Sequence, residues 1–456
     1  MKTVARKISR VVFGVAFTMA MAAVLSSCGG GGGGGGGYGG GGGGGGTIPT
    51  ISAVSASCVA YMAQVTKTDQ CTATVTGTGS YNSTVTWTSS AGSINSAGVL
   101  TVPGTTGNVT VTATAAGDAT KKSSVTVNAI ANVTSGFTYE GITHVSWSTG
   151  EYSSAAGTAS QDALPVAGGN WAGVLVTWYM PTYTDTAISP HSGGPSTPSD
   201  ADVIAAIAEL HAKGMKVMLK PHVDPLDGHW RGQIAPTDVN TWFASYNTFI
   251  LHFANLAQAN GVDMLCFGTE LASMTGAANL ANWTNTITQI RAAYSGPLAY
   301  AANSSSTNGD EYTTVAFWSQ VDVIGLDGYF SLTGHANPTL AELIAAWSNN
   351  KNGENILAAV QNFAAAHPNQ PVIFTEIGYR SVAGGNINPW DFSTGTVVDD
   401  TEQRNCFEAM YEVWSQQTAI KGNFWWAWPV QPPNLSVDTD YSTWNKPAET
   451  IEQTWQ

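Results

Sequence analysis

The sequence predicts an α/β fold, a TIM (β/α)8 barrel, preceded by a small all-β sandwich. Three observations carry that expectation. From about residue 135 to residue 456, eight short apolar runs alternate with helix-like stretches, the pattern of a parallel sheet with crossover helices. Nearly every run ends in a polar or aromatic residue. That favours a closed barrel, whose C-terminal rim carries chemistry, over a doubly wound open sheet. Between residues 47 and 130 the chain instead alternates with period two and is rich in Thr, Val, Ser and Gly, as two-sheet β domains are.

The chain has 456 residues, a length suited to two or three domains. Residues 1–28 read as a targeting segment. Lys2, Arg6, Lys7 and Arg10 precede an apolar stretch that ends Leu25-Ser26-Ser27-Cys28. That ending resembles a bacterial lipobox, so the expectation is an exported lipoprotein anchored at the outer membrane or cell surface, with Cys28 lipidated. Residues 29–46 are glycine broken only by Tyr38, a flexible tether. No later run reaches the roughly 18 apolar residues of a spanning helix, so the membrane is met only through the lipid.

In the β region, Val85–Ser89, Gly98–Thr101 and Val109–Thr114 carry the motifs VTWTS, GVLT and VTVTAT. They resemble bacterial immunoglobulin-like group 2 domains, which implies a spacer or adhesive module without chemistry. Trp87 then belongs to its core. Cys58 and Cys71 fall in the same region of an exported protein, where a disulfide is plausible. Cys266 and Cys406 lie in an apolar strand and a helix-like stretch, as buried free thiols. No Cys/His spacing of a zinc site occurs, and no metal or other cofactor is expected.

Barrel strands are expected at 141–145, 173–179, 216–221, 263–270, 298–303, 321–326, 372–376 and 423–428. Helices are expected at 199–212, 239–259, 340–347, 356–365 and 402–416. The first begins at Ser199 as N-cap and stops at Gly214; the second stops at Gly261. The barrel domain as a whole is placed at 135–456.

Two strands end in glutamate: VDMLCFGTE at Glu270 and PVIFTE at Glu376. Cleaving a glycosidic bond needs a proton for the leaving oxygen and a group to meet the oxocarbenium-like centre. A carboxylate pair at a barrel mouth supplies both. On the fourth and seventh strands, these glutamates resemble the pair of the large clan of retaining β-glycosidases. That resemblance implies Glu270 as acid/base and Glu376 as nucleophile.

The clan commonly has Asn before the first of these residues; this chain has Thr269. The ordered motifs LKPHVD at Leu219–Asp224, WRG at Trp230–Gly232, GTEL at Gly268–Leu271, GLDGY at Gly325–Tyr329 and FTEIGY at Phe374–Tyr379 resemble glycoside hydrolase family 113. This implies a retaining endo-β-1,4-mannanase without metal. Ser304 stands after Asn303 where an aromatic residue would be expected.

Around the pair, the candidate substrate-binding residues are Lys220, His222, Trp230, Arg231, Asn303, Asp327, Tyr329, Trp426 and Trp428. Lys220 serves a sugar hydroxyl or caps its strand; Arg231 orients a carboxylate or sits in a surface pair. Tyr329 is expected to donate to Glu376. His222, Asp224 and His229 lack an evident third partner for a metal. Strand alternation points Trp426 and Trp428 one way and Trp425 the other; the first two are expected to floor the site, where sugar faces stack on aromatic rings. Trp147 and Trp178 are as readily core as ligand platforms.

The formal charge of −14, falling to −18 without the four basic residues of the leader, excludes nucleic acid and disfavours anionic polymers. The expected partner is a neutral polysaccharide, a β-mannan, bound by a monomer. A β-glucan or xylan, a transglycosylase on the same site, and a non-catalytic glycan-binding lipoprotein are the competing readings.

Overall fold

The computed structural model describes residues 49–58, 62–307 and 310–455. The leader with Cys28, and the glycine tether, lie outside the described residues.

Among the described residues, eight strands precede the barrel: β1 (Thr50–Cys58), β2 (Met62–Gln64), β3 (Thr68–Thr78), β4 (Val85–Ser89), β5 (Ser93–Ile94), β6 (Val99–Thr101), β7 (Gly107–Ala115) and β8 (Lys122–Ile130). They form two four-stranded sheets, ordered β1-β3-β6-β5 and β2-β8-β7-β4. The Thr/Val alternation decides which faces turn inward. Val109, Val111, Val127, Leu100 and Cys71, from both sheets, share one buried cluster, with Trp87 packed against it. Cys58 and Cys71 face each other across the β1–β3 ladder and are joined by a disulfide.

The barrel strands are β9 (Tyr139–Val145), β10 (Trp171–Met180), β11 (Lys216–Pro225), β12 (Met264–Thr269), β13 (Leu298–Ser304), β14 (Val323–Gly328), β15 (Val372–Ile377) and β16 (Ile420–Pro429). They close in sequence order, with β16 pairing β9, and every ladder is parallel. Each run is apolar because both of its faces are covered. Met218, Met264, Cys266, Ala299, Ala301, Val323, Ile373 and Phe424 form the cluster of inward-facing side chains. A second, larger cluster joins the outer strand faces to the helices. Cys266 and Cys406 are buried free thiols.

The helices are α1 (Ala155–Ala167), α2 (Asp200–Ala212), α3 (Val239–Ala259), α4 (Leu280–Ala293), α5 (Leu340–Ala346), α6 (Ile356–Ala366), α7 (Asp400–Trp414) and α8 (Pro447–Trp455). Ser199 caps α2 in a reciprocal box with Asp202, and Asp238 caps α3. No helix among the described residues is long and apolar enough to cross a membrane.

α1, α4 and the short α8 were not expected from the sequence. α1 contains Gly157 and Pro165, which mask its periodicity. α4 is rich in Thr and Asn, poor helix formers, yet buries Trp283, Thr286, Ile287 and Ile290 at helical spacing. Tertiary packing overrides propensity there.

Candidate active site

Alternation carries side chains from the barrel interior up to its rim. On β11, Met218, Lys220 and His222 stand two residues apart and share the inward face. On β14, Val323, Gly325 and Asp327 do the same. The two glutamates arrive by an extra step. Cys266 and Thr269 pair with Ala299 and Ala301, and Phe374 and Glu376 pair with Leu326 and Asp327. In each case the glutamate-bearing strand carries one more residue than its partner. Such bulges re-aim side chains beside functional sites.

Glu376 is held at both oxygens. Lys220 Nζ donates to Oε1, and Tyr329 Oη donates to Oε2 at 2.8 Å. Lys220 also meets both oxygens of Asp327, at 3.1 and 3.2 Å, and Thr375 Oγ1 donates to Asp327 at 2.7 Å. Burial alone would lower the Lys220 ammonium, but the Asp327 and Glu376 carboxylates outweigh it and raise it. Burial and the facing Glu376 push Asp327 well up, even against the pull of Lys220. Burial and the Glu376 anion also push the Tyr329 phenol well up, so it stays a hydroxyl donor.

His222 lies 3.6 Å from Glu376 Oε1. Burial, then the Arg231 and Lys220 cations, hold it well below the usual imidazole range. It is therefore neutral, and its Nε2 lacks a hydrogen-bond partner among the described residues.

Glu270 is held by a separate set of donors. Trp230 Nε1 and Arg231 Nη1 donate to Oε2 at 3.1 and 3.2 Å, and Asn303 Nδ2 donates to Oε1 at 3.0 Å. Arg231 is fixed in turn by Asp224, at 2.7 Å. Burial would lower Arg231, but Asp224 and Glu270 raise it. Trp230 and Arg231 stand at the short 3-10 turn after β11, whose Gly232 carbonyl accepts from Ser273 beyond Glu270.

At the rim, Trp426 lies parallel to His222 at 6.2 Å and edge-on to the exposed Trp147. Tyr183 and His229 stack at 3.9 Å, and His229 bonds Asp227. His222, Asp224 and His229 thus have separate partners and form no ligand cluster.

Three expectations need correction. Trp428 does not floor the site. β16 gains one residue on β9 between Trp425 and Trp428, where the Trp426–Ala427 peptide is cis. The alternation breaks, and Trp428 is buried with its N–H on the Ser160 carbonyl of α1 and its ring stacked on Trp444. Lys220 and Asp327 are fully buried and bond protein groups. Lys220 holds Glu376, and Asp327 fixes Lys220, rather than either binding a sugar. Of the residues left open, Trp178 packs on Phe249 and Phe253 in α3, and Trp425 stacks on Phe407 in α7, on the face away from the site as alternation expects. Sequence reasoning did not single out Glu311, a buried carboxylate beside Asn303, because it opens a single 3-10 turn with no periodicity to mark it.

The model of glycoside hydrolase family 113 matches residues 142–446. Among solved structures, the chain is similar to the family 113 β-mannanase from Alicyclobacillus acidocaldarius in complex with ManMIm. The identity is 29%, the match covers 70% of this chain and 96% of that one, and the TM-score is 0.60. Two structures of family 113 β-1,4-mannanase, one of them a complex, share 22% identity and support the fold. They cover 70% and 69% of this chain and 98% of theirs, with TM-scores of 0.60 and 0.58. No curated protein matches. A family model spanning most of the chain, over a barrel whose mouth holds two separately anchored glutamates, shows that the chain belongs to glycoside hydrolase family 113 and is a glycoside hydrolase.

Proposed function

We propose that the protein is a retaining endo-β-1,4-mannanase. The observation that carries this reading is the asymmetry of the two glutamates. Glu376 is clamped between a buried ammonium and a phenol hydroxyl, as suits an attacking carboxylate. Glu270 stands at the rim among an indole, a guanidinium and an amide, with the reach to give a proton to the leaving oxygen. Glu376 attacks the anomeric carbon while Glu270 protonates that oxygen. Glu270 then takes a proton from water, which displaces Glu376 and restores the configuration. Lys220 and Tyr329 hold the attacking oxygens, and neutral His222 and Trp426 face the sugar. On the immunoglobulin-like reading, the two sheets ahead of the barrel act as a spacer.

The mannan assignment draws on the likeness to family 113 β-mannanases and on the acidic charge, which suits a neutral polymer. A polysaccharide panel tests it. Mannan and glucomannan are expected to lose viscosity quickly and release reducing ends faster than β-glucan or xylan. Faster release from xylan or β-glucan would move the substrate class, and glycan binding without release would overturn the enzymatic reading.

A further inference from the structure

Glu311 is a buried carboxyl outside the proposed chemistry, and its contacts converge on Glu270. Its Oε1 accepts from Tyr300 Oη at 2.5 Å and Thr275 Oγ1 at 3.1 Å. Its Oε2 accepts from the Asn303 backbone N–H at 2.8 Å. Two of these partners reach Glu270 by different routes. The Tyr300 hydroxyl accepts from the Leu271 N–H at 2.9 Å, directly after Glu270. The Asn303 side chain donates to Glu270 Oε1 at 3.0 Å. Tyr300 lies flush against β12 because Gly268 has no Cβ; one there would stand 2.7 Å from the ring.

The Glu270 turn is one that needs holding. Glu270 has φ 49°, in the left-handed region. A non-glycine residue stays there only where its surroundings over-determine it. Here the Glu270 N–H is tied to the Ala301 carbonyl at 2.8 Å and the Leu271 N–H to Tyr300. Glu311 anchors the second tie, and it anchors the backbone of the Asn303 that steers the carboxylate.

We propose that Glu311 is a positioning residue for proton transfer: through Tyr300 and Asn303 it sets the angle at which Glu270 meets the leaving oxygen. The proposal rests on the reading of Glu270 as acid/base. Burial pushes Glu311 up to about 8 despite the hydrogen bonds it accepts. Glutamine, neutral and of the same shape, is therefore the conservative replacement.

Leaving-group dependence separates this role from a merely structural one. Glu270→Ala, Glu311→Ala, Glu311→Gln and Tyr300→Phe are compared on mannotetraose, whose leaving group needs a proton, and on dinitrophenyl β-mannobioside, whose leaving group does not. First-turnover release is the readout, with thermal melts to confirm folding. Glu270→Ala should lose roughly 10²- to 10⁴-fold on mannotetraose alone. Glu311→Ala should lose roughly 10- to 100-fold in kcat with the same bias and little change in KM, as expected when a catalytic group is displaced by an ångström or less. Tyr300→Phe should follow it, and Glu311→Gln should retain more activity than either. Folded Glu311→Ala and Tyr300→Phe that slow both substrates equally, or neither, would overturn the proposal; if Glu311→Ala does not fold, Tyr300→Phe decides alone. If Glu270→Ala itself shows no bias, the acid/base reading fails and the proposal falls with it.

Discussion

Replacing Glu376 by alanine should lower kcat on mannan by at least ~10⁴-fold, the scale on which removing a covalent nucleophile acts, while the barrel stays folded. The fold should survive because Lys220 keeps its two contacts with Asp327, at 3.1 and 3.2 Å, so no charge is left buried alone. The loss should also be of a particular kind. Alanine opens space beside the anomeric carbon, and a small anion such as azide can enter it. With an activated β-mannoside, azide should restore turnover and give an α-configured azide product, since one displacement then replaces two. Reducing-end assays with and without azide, and NMR of the product, check this. Unchanged mannan hydrolysis in the variant would remove Glu376 from the chemistry.

Lys220→Met should have the largest effect on stability. Lys220 is fully buried between Asp327 and Glu376. Removing one partner of a buried ionic cluster costs ~3–5 kcal/mol, because the opposing charges remain without compensation. In a domain of this size that lowers the thermal midpoint by roughly 10 °C. The pH dependence follows from the sign of the linkage. Burial and the facing Glu376 already displace Asp327 upward, and without the ammonium it loses the cation that pulls it down and rises further. A raised carboxyl contributes stability at low pH that is lost as pH climbs. The destabilisation of Lys220→Met should therefore be larger at pH 8 than at pH 5. Activity should fall roughly 10²-fold as well, through loss of aim of the Glu376 carboxylate. Calorimetry of both proteins at both pH values is the check, and an equal midpoint at pH 8 would contradict the clamp.

Much of the barrel was legible because its strands are short, apolar and closed by polar residues, a pattern set by burial on both faces. Ser199 and Gly214 marked the ends of α2 for equally local reasons. The helices hidden in 155–167 and 280–293 were not legible, since packing rather than propensity forms them, and the short helix at 447–455 was not marked either. Within the site, Glu270 and Glu376 stood out because each closes an apolar strand. What Lys220 bonds could not be read, as its partners lie 107 and 156 residues away. The Trp428 error has one cause: strict alternation was assumed across a strand that gains a residue on its neighbour. Glu311 escaped notice because it sits in a loop turn, where sequence offers no periodicity to point at a buried carboxyl.

As a nucleophile, Glu376 forms a covalent bond to the sugar. Reaction with a 2-deoxy-2-fluoro mannobiosyl fluoride, which slows the second displacement, followed by proteolysis and mass spectrometry, tests it most directly. The expected result is a fluoromannobiosyl adduct on the peptide that contains Glu376. An adduct on Glu270, Asp327 or any other residue would contradict it.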